Sequence, residues 1–162
     1  FPSGVRTMPV EATEHAGPVI IWRKELRPDS GGAGTMRGGL GQFMEVGAKE
    51  GHEFDFSAMF DRVKHPARGR REAGQGAPTT IKCSDGAEMR GKGKQFVPHG
   101  ARVFLAFPGG GGYGPPAERD PEMVKRDLAR GYISAQSAAL DYGLSDIVIA
   151  AVLHAIKTGE IE

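Results

Sequence analysis

The sequence predicts an α+β chain, with a β-rich, glycine-rich body over residues 1–116 and short C-terminal helices over residues 117–162. Three observations carry that expectation. Glycine makes up 25 of the 162 residues, about twice its usual share. Each interior glycine costs a helix about 1 kcal/mol relative to alanine, which argues against an all-helical bundle. In the first part, apolar residues come as short runs or alternations bounded by glycine, proline or aspartate, the signature of strands joined by turns. After residue 116 glycine becomes punctuation between capped apolar stripes, which read as helices. The length fits one domain, and 39% hydrophobic residues suffice for a core.

The candidate strands are Pro18–Arg27, Leu40–Gly47, Glu53–Met59, Thr79–Ser84, Gln95–Val97 and Arg102–Phe107. Trp22 lies on the apolar run Ile20–Trp22 and reads as core, and Cys83 reads as a packing residue in a strand. Asp120 before Pro121 and Glu122 marks an N-cap, proline at N1 and a first-turn carboxylate. Val124 and Leu128 share a face of that helix, and Gly131 stops it. Ser134 caps a second helix that ends at Gly143. Ser145 and Asp146 open a third, whose stripe Val148, Ile149, Val152, Leu153 and Ile156 should pack against the body or another chain.

Charge is balanced at +1, so no global field points to nucleic acid or to an acidic partner. The basic stretch Arg62–Glu72 lacks interleaved aromatics and reads as a solvated loop or subunit contact. The longest apolar run, Ile147–Leu153, is far short of a membrane span. One cysteine makes an internal disulfide impossible and predicts a reducing, cytoplasmic setting. His15, His52, His65, His99 and His154 show no paired ligand spacing, so no metal site is expected within this chain.

Three apparent motifs fail on context. Pro28-Asp29-Ser30-Gly31-Gly32 looks like a trypsin-like nucleophile loop, yet that class needs a histidine and then an aspartate upstream, only His15 precedes Ser30, and less than a barrel's worth of chain lies upstream. Gly109–Gly114 is formally GxGxxG after an apolar strand, but Pro115-Pro116 blocks the helix that a dinucleotide site needs. Gly86–Lys92 has Walker-A spacing, but Gly93 stands where a magnesium-holding hydroxyl belongs.

Two glycine clusters remain, Gly31–Gly41 and Gly109–Gly114. Such density lets backbone N–H groups converge into nests that hold an anion or oxyanion. It equally serves tight turns where two backbones approach closely, and the residues alone leave both readings open. Arg37 adds a guanidinium fork to the first cluster, and Asp29 and Ser30 add a carboxylate and a hydroxyl just before it.

The words and their order then resemble the hydantoinase B/oxoprolinase family. They are Met8-Pro9-Val10-Glu11 with Glu14, Glu25 through Gly34, Arg37-Gly38-Gly39-Leu40-Gly41, Pro108–Gly114, and Glu118-Arg119-Asp120-Pro121 through Asp127, Gly131, Ser134 and Tyr142-Gly143. The resemblance spans about Met8–Gly143, and several long motifs in series make it specific. It departs at Leu144–Glu162, an apolar helix longer than the family leads one to expect. It corresponds to the C-terminal part of a longer polypeptide, consistent with a start at Phe1 rather than methionine.

That resemblance implies an ATP-dependent amidohydrolase opening a cyclic amide such as a hydantoin, N-methylhydantoin or 5-oxoproline. ATP with magnesium would bind an A-type partner subunit or domain, which phosphorylates the substrate oxygen before the B part completes the conversion. A divalent metal, as in carboxylase relatives, would lie outside this chain. Within it, the resemblance makes Asp29 a base or metal ligand, Ser30 a donor and Arg37 an anion clamp. Gly31, Gly32, Gly34, Gly38 and Gly39 would supply N–H groups or permit the turn, and Gly110 and Gly111 would line the same cleft. A salt bridge between Asp29 and Arg37 is the competing reading. The alternatives for the whole chain are part of a related ketone carboxylase, or a non-catalytic assembly domain.

Overall fold

The computed structural model describes residues 7–160. Phe1 and the last residues of the expected tail, Ile161 and Glu162, lie outside them. Chain order runs α1 (Val10–Ala16), β1 (Val19–Arg27), β2 (Gly41–Ala48), β3 (Phe54–Met59), β4 (Thr80–Cys83), β5 (Lys92–Val97), β6 (Arg102–Ala106), a 3-10 turn at Pro116–Glu118, α2 (Pro121–Ala129), α3 (Ala135–Leu140) and α4 (Asp146–Thr158). All six expected strands form, with ends shifted by up to three residues. The α+β expectation holds, with three of the four described α-helices gathered at the C-terminus.

The element missed in the sequence is α1. It buries none of its residues, so it carries no apolar stripe to read. Pro9 precedes it and Thr13 Oγ1 donates to the Pro9 carbonyl (3.0 Å), but no side chain caps its N-terminus.

Strands β1-β2-β6-β4 make an antiparallel sheet in that order, and β3 and β5 pair as a separate antiparallel ribbon. Alternation explains the faces. On β6, Val103 and Leu105 are buried while Phe104 between them is exposed. Their register partners Met44, Ile81 and Cys83 share the inner face. This core also takes Val97 and Ala101, with Phe54, Phe56, Phe60 and Phe107 packed around it. The Phe60 ring bridges Phe56 at 6.2 Å and Phe107 at 5.8 Å between centroids.

Trp22 corrects the sequence expectation. It is 52% exposed rather than core, because the β1–β2 register shifts between Ile21 and Arg23. A bulge of this kind re-aims the side chain it displaces. The indole lies under the Arg102 guanidinium at 3.8 Å on the outer sheet face.

A second apolar cluster sits in the helices, where Val124, Leu128, Ile133, Ala138, Ile149 and Val152 are buried together. The caps are as the sequence implies: Asp120 accepts the Glu122 N–H (2.9 Å), and Ser134 Oγ accepts that of Ser137 (3.1 Å). Gly131, Gly143 and Gly159 follow the three helices with positive φ. Ser145 precedes α4 without a side-chain cap bond. Only part of the α4 stripe packs, since Leu153 and Ile156 keep 38% and 37% exposure.

Candidate functional site

The candidate site stands where one end of the sheet meets the helices. Register pairs Arg27 with Gly41 and Thr80 with Ala106, and Ala106 with Phe43 two residues into β2, so the ends of all four strands gather at one end of the sheet. The chain leaving those ends makes three extended segments, about residues 30–39, 67–77 and 108–114, bonded backbone to backbone. Gly32 N–H donates to Gly110 O (2.9 Å), Gly110 N–H to Gly39 O (2.9 Å), Gly74 N–H to Ala33 O (2.7 Å) and Gly112 N–H to Gly74 O (3.0 Å). This layer is too thin for side chains. A Cβ on Gly109 would collide with the Ser30 carbonyl, and one on Gly38 with that of Gly110. Close backbone approach is thus the first reason for the glycines.

Each candidate residue has a definite place in this layer. Ser30 is fully buried; its hydroxyl donates to Arg27 O (2.5 Å) and accepts the Gly41 N–H (2.8 Å). Its single proton is therefore committed to holding the β1–β2 connection, which leaves no donor for a ligand. Asp29 is exposed with φ +56°, and its Oδ1 accepts the Ser134 N–H (2.8 Å), tying the layer to the start of α3. Arg37 sends Nε to Asp127 Oδ2 (2.9 Å) and Nη1 to Gly38 O (2.8 Å), with its guanidinium 5.6 Å from the Tyr132 ring centre. The salt bridge weighed for Asp29 and Arg37 does not form; each binds the helical region separately.

Among the glycine candidates, the N–H groups of Gly32, Gly38 and Gly110 are spent on carbonyls within the layer. The Gly34 N–H lies near the Tyr142 hydroxyl and favours its ionised form. Those of Gly31, Gly39 and Gly111 have no acceptor among the described residues. Gly39 is exposed with open space around its α-carbon. The N–H groups left for a nest are those of Gly31, Gly39 and Gly111, of which Gly39 is the exposed one.

The charge that sequence reasoning missed is Arg119. Its Nη2 meets Asp127 Oδ2 at 2.7 Å and its Nη1 meets Thr35 O at 3.0 Å, with side-chain exposures of only 4% and 5% for Arg119 and Asp127. Its buried Nε has no hydrogen-bond partner among the described residues. One carboxylate oxygen therefore serves two guanidiniums, and the cluster carries a net positive charge. Tyr142 stands beside it, its hydroxyl pushed to higher pKa by burial, against the pull of Arg119 and Arg37. The signal was present: Asp127 lies one turn from Val124 on the face that Leu128 also occupies, an acidic group amid an apolar stripe.

Chemically, the arrangement offers a partly exposed guanidinium held at two points, a nearby exposed N–H at Gly39, and the Asp29 carboxylate with one oxygen engaged. That is equipment for holding an anion. Among the described residues no group of three His, Cys, Asp or Glu side chains could hold a metal ion. No helix among them is long and apolar enough to cross a membrane.

The fold and this cationic joint define a module whose polar chemistry is concentrated where glycine-layered backbone meets a helical tail. The sequence pattern of hydantoinase B/oxoprolinase matches residues 1–116, and the chain belongs to that family. It is 30% identical over 149 residues to a Pseudomonas sp. strain NS671 protein described as the B-type subunit of a D-/L-hydantoinase, covering 88% of this chain and 25% of that one. It is 32% identical over 150 residues to the beta subunit of caprolactamase from Pseudomonas jessenii, covering 83% and 24%. The crystal structure of the ATP-dependent caprolactamase from that organism superposes with a TM-score of 0.74 at 28% identity, over 94% of this chain and 28% of that one. Acetone carboxylase in its nucleotide-free form shares the fold, with a TM-score of 0.60 at 18% identity over 96% of this chain and 27% of that one. The chain spans about a quarter of the length of these two curated relatives.

Proposed function

We propose that this chain is the C-terminal module of a B-type subunit in an ATP-dependent amidohydrolase that opens a cyclic amide. An A-type subunit or domain, in the same cytoplasmic compartment, would bind ATP with magnesium and activate the substrate carbonyl. The likeness to components of a hydantoinase and of a caprolactamase supports this reading, since both names denote enzymes acting on cyclic amides. The observation that carries it is the Arg37–Asp127–Arg119 cluster, an excess positive charge fixed at the joint.

An unactivated lactam is a poor electrophile; phosphate on its oxygen makes the carbon an imidate that water can attack. The C–N bond then breaks as the nitrogen takes a proton, and hydrolysis of the acyl phosphate so formed releases phosphate and the carboxylate. The B part must then hold an anion while the ring opens. Arg37 would clamp it with Nη2, its other guanidinium nitrogens being anchored by Asp127 and Gly38, and Gly39 would add an N–H. Asp29 would orient or deprotonate water from the exposed face. The sheet body and helical tail act as one domain in this reading, joined through the same cluster.

The test is reconstitution. The full-length polypeptide that contains this chain, mixed with its A-type partner and Mg-ATP, should open caprolactam, a hydantoin or 5-oxoproline with stoichiometric phosphate release. Nucleotide-independent opening, or no turnover of any of the three, contradicts the proposal. The 162-residue chain by itself should turn over none of them.

A further inference from the structure

The outer face of the four-stranded sheet carries a second feature, lined by none of the Arg37, Asp127 and Arg119 side chains and independent of the reading above. A groove of about 400 Å³ opens there, walled by Phe43 and Phe104 and rimmed by Arg23, Arg27, Lys82 and Thr80. A volume of that order accommodates a small organic molecule, and an apolar floor with few polar groups is how such sites are built.

The cations are arranged unequally. Arg23 is engaged, ion-paired to Glu25 and lying 4.4 Å above the Phe43 ring centre. Arg27 has no carboxylate partner among the described residues. Its Nη1 donates to the carbonyls of Pro78 (2.8 Å) and Phe107 (3.1 Å), leaving Nε and Nη2 without an acceptor among the described residues. Burial pulls its pKa below the usual arginine value, the mark of a cation that has lost water without gaining an anion. Lys82 has no salt-bridge partner among the described residues and sits on the outer face of β4, the edge strand opposite β1. Phe104 keeps 38% exposure although its neighbours Val103 and Leu105 are buried.

We propose that this groove binds a small organic anion with a flat apolar body, its carboxylate or phosphate held by Arg27 and Lys82 and its body lying along Phe104. A guanidinium fork fixed by carbonyls matches planar or tetrahedral oxyanions. An aromatic wall discriminates such a ligand from inorganic anions, which would gain only the charge. Neutral aromatics would gain only the wall.

The probe is phenyl phosphate, titrated into the 162-residue protein at low salt and followed by amide shifts in two-dimensional NMR. Saturable shifts at Thr80, Lys82 and Phe104 with a midpoint below about 1 mM are expected, as suits a ligand of this size. Inorganic phosphate and benzyl alcohol should each bind at least about tenfold more weakly. Raising the ionic strength to about 1 M should weaken the phenyl phosphate titration in parallel, because the rim is exposed. Arg27→Ala should lower affinity about tenfold or more. Since Arg27 also ties down Pro78 and Phe107, Lys82→Ala and Phe104→Ala serve beside it. Both lie at the surface, should leave the melting curve unchanged, and should each weaken binding several-fold. No saturable shift by about 10 mM, shifts centred elsewhere, or unchanged affinity in Lys82→Ala and Phe104→Ala would each overturn the assignment.

Discussion

At Asp127, two guanidiniums compete for one carboxylate oxygen, and the imbalance makes the three side chains unequal in a testable way. Removing Asp127 leaves Arg37 and Arg119 close together in a buried setting without a counter-charge. Breaking a buried pair in this manner costs about 3–5 kcal/mol. Removing Arg37 instead leaves a one-to-one pair between Arg119 and Asp127, so Arg37→Ala should cost only about 1 kcal/mol, the scale of one hydrogen bond. Denaturant melts of Asp127→Asn and Arg37→Ala should therefore separate clearly. Equal losses would mean that Arg37 is a structural member of the cluster on the same footing as Asp127.

Glycine makes a second contrast at this scale. A methyl group on Gly109 would run into the Ser30 carbonyl, whereas one on Gly39 would meet nothing within 4 Å. Gly109→Ala should destabilise by about 3 kcal/mol or fail to fold, the upper end of overpacking penalties, while Gly39→Ala should melt as the wild type does. Both glycines belong to clusters that look alike in the sequence. Only the structure shows which one has a carbonyl pressed against it, because the colliding backbone comes from a segment nearly eighty residues away.

The third contrast concerns Cys83, whose thiol is held above its usual pKa, chiefly by burial. Its reactive thiolate is correspondingly scarcer than that of an exposed cysteine. Iodoacetamide at about pH 8 should alkylate the native protein at least about tenfold more slowly than the unfolded chain. Equal rates would place the thiol at the surface.

At the scale of elements, strands and caps were legible in the sequence because their determinants are local. Asp120, Ser134 and the glycines after each helix act within one turn of where they stand. The six strands follow from alternation and turn residues in the same way. The α1 helix was hidden because its stability does not come from a buried stripe. Trp22 was misplaced because a bulge is set by the pairing of two strands, and hydrophobicity along one of them does not reveal it.

The α4 helix shows what a stripe can and cannot say. Its apolar residues have helical spacing, but Ile149 and Val152 face α2 and α3 while Leu153 and Ile156 stand at the margin. Val152→Asp should cost about 4 kcal/mol or more, because it places an unpaired charge in the helical core. Leu153→Asp should stay within about 1 kcal/mol. A loss at Leu153 matching that at Val152 would show that another chain covers the margin.

At the scale of the molecule, two apolar clusters are joined through a layer of backbone and a few polar ties. Of the joint, Asp29 and Arg37 were legible as chemistry-bearing residues, and the family words drew attention to the surrounding segments. The partners of those residues were not legible, since Arg37 reaches across ninety positions to Asp127. Ser30 stood out by its neighbours in the sequence, yet its hydroxyl is consumed at the β1–β2 connection. Long-range pairing of this kind leaves no periodic trace in the chain.

The central claim is that the joint holds an anion during ring opening, and one comparison addresses it most directly. Turnover of the reconstituted full-length assembly with Mg-ATP should be measured for wild type, Arg37→Ala and Asp29→Asn, alongside melting and subunit assembly of each. Loss of one fixed donor to a developing oxyanion costs about 2.7–4 kcal/mol of barrier. The account predicts that Arg37→Ala falls about 100- to 1000-fold in turnover and that Asp29→Asn falls with it, while both melt and assemble nearly as wild type. Wild-type turnover in both folded, assembled variants would contradict it.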